Sequence, residues 1–419
     1  MEQRRKNLTQ LFIPICLETL LYMLSGMVDT LMLSSVNDQA VGAVGTANTY
    51  IGIFIIMFSV ISSGMVAVMT QNIGAGRPGV AYQARQLGLV FNAALGVIMS
   101  LFLSLGAGTI LSGVGVADAL MQPAKTYLQI VGGFCILNAL IPICSSYLRA
   151  FGFSKEPLYA SIIGNVINFC LNAFFLFVLH KGVAGVATAT VISRIINLVI
   201  VVLLGAVLVK AKQHPERESN RAVMGQIIRI GLPSACETAI YNVSMTLVIR
   251  FLNQMDAQGL NVTARSYTMQ ITNFSYCVGA ALAQANAIMT GWHIGAKEYD
   301  ACDRGTKKAA VIGVIVAVIL ETVFTLCSGW IMQLFSKDPQ MVSLVGKLLA
   351  IDIVLEIGRV TNLVYGQALK TSGDAVFPVV MGACFMILCS VGGTYLFGIR
   401  LGLLAVGAYI GMTGDECVR

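Results

Sequence analysis

The sequence predicts an all-α polytopic membrane protein of about twelve transmembrane helices, in two six-helix bundles related by a pseudo-two-fold axis. Three observations lead there. First, the 419 residues are 57% hydrophobic and 11% charged, with a mean hydropathy of +0.80, whereas a water-soluble domain carries about 25% charged residues. Single cores stop growing at roughly 250–300 residues and cannot hide so much apolar surface. This excludes a water-soluble enzyme, a secreted scaffold and a nucleic-acid binder. Second, the apolar runs are far longer than the alternating segments of about ten residues in a β-barrel, so the spans are helices. Third, the chain repeats itself.

In order, the apolar runs place spans at 9–33, 41–70, 86–111, 122–147, 157–179, 185–209, 224–252, 262–290, 308–334, 341–367 and 376–398, with a partial one from 401. The first is a retained helix and not a cleaved leader, because its apolar stretch runs to about Leu33 and carries Glu18 and Asp29. The last run, Leu401 to Gly414, is too short for about 30 Å of hydrocarbon, so the final helix is expected to be incomplete in this chain. Residues 210–221, KAKQHPERESNR, form the one polar linker and divide an N-lobe at 1–209 from a C-lobe at 222–419.

The two halves echo each other in order. IPICLETLL at 13–21 returns as GLPSACETA at 231–239, superposing Pro14 on Pro233 and Glu18 on Glu237. MTQNIGAG at 69–76 returns as MTGWHIGAK at 289–297, and RAFGFSKEP at 149–157 as KTSGDAVFP at 370–378, all at a spacing of about 220 residues. The basic residues alternate with the loops: 17 lie on the N-terminal side of the membrane against 6 on the other, among them Arg4, Arg5 and Lys212 against Lys337. By the positive-inside rule the N-terminus is cytoplasmic. Halves of equal orientation make a parallel repeat, an arrangement of secondary transporters whose substrate site lies near the membrane midplane.

Charged groups inside a bilayer cost about 2.5–3.5 kcal/mol each on insertion scales and persist where they face protein or a watery cavity. Asp29 lies in the last two turns of the first span; an interfacial position and an ion or proton site are both open to it. Asn165, Asn168 and Asn172 lie in the fifth span, the latter two on one face, and Thr188 and Thr190 in the sixth. Carboxylate, amide and hydroxyl oxygens suit a hard cation, and a desolvated carboxylate suits a proton. Glu237 enters the seventh span. Glu356 and Arg359 lie three apart in the tenth and can pair, whereas Glu18 and Asp352, nearer helix ends, are expected to reach water. Glu321 has no evident partner, and Arg194 either lines a cavity or braces the bundle. The polar eighth span, with Gln270, Thr272 and Asn273, is expected to line a hydrated C-lobe cavity. The 19 methionines are core, lipid-facing or a pliable drug-binding surface. His180, His214 and His293 are far apart, so no metal is expected beyond Na⁺ at Asp29. No phosphate-binding loop or nucleophile constellation stands out, so neither catalysis nor ATP coupling is expected. The cysteines within the apolar runs act as small hydrophobes.

The Pro14 to Val-Asp29-Thr stretch, the Asn168/Asn172 pair and the Arg/Lys-x-x-Gly-(x)4-Pro strings together resemble the multidrug and toxic compound extrusion (MATE) family over essentially the whole chain. The resemblance implies a twelve-helix exporter of the inner membrane that exchanges Na⁺ or H⁺ for small, lipophilic or cationic compounds, without a cofactor. It implies that Asp29, Asn168, Asn172 and Thr190 form the N-lobe coupling site, with Asn172 where many relatives have an aspartate. Pro14 is the proline at which the first helix bends, and Glu237 the C-lobe glutamate. The tenth span departs from relatives with an aspartate where this chain has Arg359. A C-lobe cavity of Glu237, Gln270, Asn273, Glu356 and Arg359 and a monomeric state are expected. The rival readings are a lipid-linked oligosaccharide flippase, which needs a strongly basic cavity, a channel, and an intramembrane enzyme.

Overall fold

A computed structural model describes residues 6–34, 38–113, 116, 118–210, 216–256, 259–333, 336 and 338–419. Arg4, Arg5, Lys212, His214, Lys337 and the 211–215 stretch of the central linker lie outside the described residues. The described chain is helical, without a strand. Twelve rods follow one another: α1 Leu8–Ser34, α2 Asp38–Gly74, α3 Pro78–Gly113, a bent α4 over 118–150, α5 Lys155–Val178 and α6 Gly182–Leu208. Then come α7 Asn220–Met255, α8 Leu260–Gly295, α9 Tyr299–Leu326, α10 Pro339–Ser372, α11 Val376–Arg400 and α12 Leu404–Val418. Helices suit this chain because a bilayer offers no partner for a backbone N–H or C=O, and a helix satisfies its own.

Most rods run beyond the apolar runs. At 1.5 Å per residue, the 37 residues of α2 reach about 55 Å, past the hydrocarbon on at least one side. Among the described residues seven helices are long and apolar enough to cross a membrane alone, and eight when α4, bent by 43°, is counted as one span. The exceptions are α7, α8, α10 and α12. The first three carry the polar residues of the site described below, and α12 has 15 residues.

The chain packs as two compact units, Met1–Leu232 and Pro233–Arg419. In the first, small and aliphatic side chains of α2, α3, α4 and α6, such as Ala47, Leu103, Leu128 and Ala187, make the core. Asn92 is buried there and donates to the carbonyls of Phe58 and Ala139, both at 3.3 Å, tying α3 to α2 and α4. The described end of the linker is fastened by Gln83, which donates to the Glu218 carbonyl at 2.7 Å and accepts from its N–H at 3.0 Å. In the second unit, Val248, Leu252, Ala264, Leu348, Leu355 and Tyr409 form the core. A Cβ at Gly358 would come within 2.5 Å of the Glu416 carbonyl oxygen, so this glycine lets α12 lie directly on α10.

The turns carry the internal repeat. Gly152 and Gly373, matched in the repeated strings, both have positive φ (85° and 109°) and end helices in the left-handed conformation that favours glycine. Gly76 and Lys297, matched in another pair, share the same conformation at φ 74° and 61°, although lysine carries the Cβ cost there. Asp256 precedes α8 and accepts from the N–H groups of Leu260 at 2.8 Å and Asn261 at 3.0 Å. Partial burial raises this carboxyl, but donors from Asn261, Leu260 and Gly259 outweigh it and hold it below its usual range.

Candidate functional site

Two polar clusters stand out, one in each unit. In the first unit, a proline inside α1 starts the construction. Pro14 has no N–H to give to the carbonyl of Gln10 one turn earlier. The helix continues through it, and the hydroxyl of buried Ser154 donates to that Gln10 carbonyl at 3.0 Å. A loop side chain thus takes the place of the missing helical bond. One turn on, Glu18 is not at the water interface: it pairs with Arg149 of α4 at 2.5 Å and accepts from Ser161 of α5 at 3.4 Å. This departs from the expectation, because α4 and α5 bring a cation and a donor to the acid.

Farther along α1 lies Asp29. The four-residue spacing of Asn168 and Asn172 stacks both amides on the face of α5 that meets α1. Asn172, with 0% exposure, donates to Asp29 Oδ1 at 2.6 Å and to Asn168 Oδ1 at 3.2 Å. Its own Oδ1 is buried with no hydrogen-bond donor. The Thr190 hydroxyl, also buried, donates to the Val186 carbonyl of its own helix at 2.9 Å, and Thr188 does likewise to Ala184 at 2.7 Å. Arg194, one turn beyond Thr190, and Tyr127 of α4 are within electrostatic reach of Asp29. The sequence reading gave Tyr127 no role. Its signal is faint: a tyrosine at the start of a π-turn, Leu128–Gly132, where α4 bends. Chemically the cluster is a carboxylate and two amides with one oxygen left open, a set that can hold a proton or a hard cation.

The second unit holds an open cavity of about 490 Å³ lined from α7, α8, α10, α11 and α12. Glu237, Asn273 and Arg359 line it. Glu356 is buried beside it, accepting from Arg359 at 2.8 Å, and Glu416 of α12 lies 3.8 Å from the same guanidinium. Gln270 is exposed and outside the lining, because it sits about 100° round α8 from the stripe of Met269, Thr272 and Tyr276 that faces the cavity. Asp352 does not reach water either. It is 2% exposed and lines the cavity within electrostatic reach of Arg359. Glu237 is bonded to Lys370. Glu321 is wholly buried in α9, facing the Ser275 side chain of α8. No three of His, Cys, Asp and Glu converge tightly enough to hold a metal ion among the described residues.

Comparison with known proteins decides the family. The model of the MatE family matches residues 14–174 and again 233–396. The chain belongs to the MatE family. Its two matches begin at Pro14 and Pro233, the prolines that the repeated strings superpose, so the internal repeat is a duplication of the MatE domain. The MatE chain is 33% identical over 412 residues to the uncharacterized transporter YisQ of Bacillus subtilis, covering 97% of this chain and 90% of that one. It is 23% identical over 427 residues to a probable multidrug resistance protein NorM of Thermotoga maritima, covering 99% and 90%. Its fold matches that of an outward-facing multidrug resistance MATE family transporter with a TM-score of 0.88 at 18% identity, over 98% of this chain and 92% of that one. This MatE protein is a multi-pass membrane transporter and not an enzyme.

Proposed function

We propose that this MatE protein is a secondary antiporter of the inner membrane, N-terminus cytoplasmic, that exports small lipophilic compounds in exchange for H⁺ or Na⁺. The observation that carries the reading is the Asp29–Asn172–Asn168 network with its open amide oxygen. A cation entering the N-lobe would be held by the Asp29 carboxylate and the Asn168 and Asn172 oxygens, and Thr190 of α6 is proposed as a further ligand. Neutralising Asp29 weakens its hold on the Asn172 amide and on Arg194, and so changes how α1 sits against α5 and α6. The Pro14 segment, braced by a side-chain bond from Ser154, is the natural place for α1 to bend. One charge moving through 100 mV supplies about 2.3 kcal/mol, roughly a 50-fold concentration ratio, which supports export without ATP. The multidrug names of several relatives support drug-sized substrates. A cationic preference has less support from the cavity, because Glu237, Asp352 and Glu416 each lie beside an arginine or lysine.

Purified protein in liposomes, with Na⁺ and H⁺ gradients imposed one at a time, tests the reading. Export of a lipophilic dye driven by either gradient is expected. Export that needs neither would contradict it.

A further inference from the structure

We propose that Arg265 anchors the anionic head of an amphipathic substrate in the C-lobe cavity. The inference rests on the export reading and deepens it by naming the substrate class. Four basic side chains line this cavity: Arg265, Arg359, Lys370 and Arg419. Three of them are taken. Arg359 holds Glu356 and Glu416, Lys370 holds Glu237, and Arg419 holds Asp415 at 2.9 Å.

Arg265 is different. It is 6% exposed and makes no ion pair among the described residues. One terminal nitrogen touches the Met245 sulfur at 3.6 Å, a weak acceptor, and its Nε is buried without an acceptor. An unpaired guanidinium withdrawn from water is costly, and an ionisable group facing a cavity inside a membrane protein marks a functional site. Its planar fork fits a carboxylate, sulfonate or phosphate through two parallel hydrogen bonds.

The surroundings describe the rest of the ligand. From Arg265, the α8 stripe runs through Met269, Thr272 and Tyr276, all lining the cavity, with Met245 of α7 and Met412 of α12 close by. Flexible thioethers and aromatic faces receive apolar bodies of varied shape, and a cavity of this size holds a drug-sized molecule. The acids of the cavity gather at Arg359 and Lys370, so they do not repel an anion at Arg265. The ligand is therefore an organic anion with an apolar body, either a free amphiphile or a lipid with a phosphate head.

Fluorescence titration of the purified protein in nanodiscs tests this with three probes of one shape: dansyl-undecanoate, its methyl ester and the matching undecylammonium. Wild type should bind the carboxylate about tenfold more tightly than the ester, the ratio that about 1.4 kcal/mol supplies, and the ammonium no better than the ester. Arg265→Gln should bind carboxylate and ester alike, and Arg265→Lys should keep part of the preference. Displacement by short-chain phosphatidate would assign the head to a lipid; displacement by undecanoate alone would assign it to a free amphiphile. A wild-type protein that favours the ester or the ammonium overturns the anchor whether or not the variants fold, as does a carboxylate preference that survives in folded Arg265→Gln. Gradient-driven efflux of all three probes, measured separately in liposomes, shows whether the export reading stands when the anchor fails.

Discussion

Replacing Arg359 by methionine isolates the electrostatics of the second unit. Arg359 Nη1 lies 2.8 Å from Glu356 and its Nε 3.8 Å from Glu416, while Glu356 is 0% exposed. At an effective dielectric constant near 20, the gross attractions are about 6 and about 4 kcal/mol. Desolvation of the charges offsets much of this, and deleting one partner of a buried pair typically costs 3–5 kcal/mol because the other is left stranded. Arg359→Met should therefore destabilise the second unit by about 3–5 kcal/mol. Glu356→Gln should cost less, since Asp352 and Glu416 still face the arginine. The double variant should be less destabilised than the sum of the two, by about 1–3 kcal/mol of coupling. Unfolding by dodecyl sulfate in mixed micelles measures this, with Trp292, buried in α8, as the fluorescent reporter. An Arg359→Met protein within about 1 kcal/mol of wild type, or additive single effects, would refute the view that one arginine holds these acids.

Three further predictions concern single positions. Lys297→Gly should stabilise the protein by about 1 kcal/mol, because it removes a Cβ from a left-handed residue, and a lower melting temperature would count against the turn geometry. Asp256→Ala should cost about 0.5–2 kcal/mol by leaving the first N–H groups of α8 without their acceptor. Because the folded carboxyl titrates below its unfolded value of 3.8, its contribution is present above that pH and shrinks as the pH falls below it toward the lower folded value; a cost of Asp256→Ala that does not shrink as the pH is lowered from 7 to about 2 would contradict it. Ser154→Ala should leave the Gln10 carbonyl unbonded, cost about 1 kcal/mol and speed amide hydrogen exchange in α1 around Pro14, whereas unchanged exchange would show that the brace does not hold the helix.

The fold was legible because hydropathy and repetition are properties of long stretches. Every apolar run became a rod, and the strings around Pro14 and Pro233 mark where the MatE domain begins twice. What composition missed was the company of individual charges. Glu18 and Asp352 sit near helix ends and read as water-facing, yet Arg149 on a neighbouring helix and Arg359 two turns along α10 gather them inward. Three-dimensional neighbours of that kind leave no periodic signal. Gln270 illustrates the same limit at finer scale, since a position 100° round a helix from the cavity stripe is equally polar in sequence. The Asn168/Asn172 spacing was legible because both residues share one helix face, but the approach of Asp29 to Asn172 depends on how α1 packs on α5. In sequence Arg265 is one of several arginines in apolar runs, and its lack of an ion pair exists only in the folded unit.

Efflux and equilibrium binding of one lipophilic probe by wild type and Asp29→Asn in the same liposomes test the coupling role of Asp29. Asparagine keeps the shape and loses the charge that a proton or Na⁺ must neutralise. Gradient-driven efflux should be lost in Asp29→Asn while binding persists, since drug-sized ligands draw most of their affinity from apolar contacts. Full gradient-driven efflux by folded Asp29→Asn would contradict it and move the coupling to another acid.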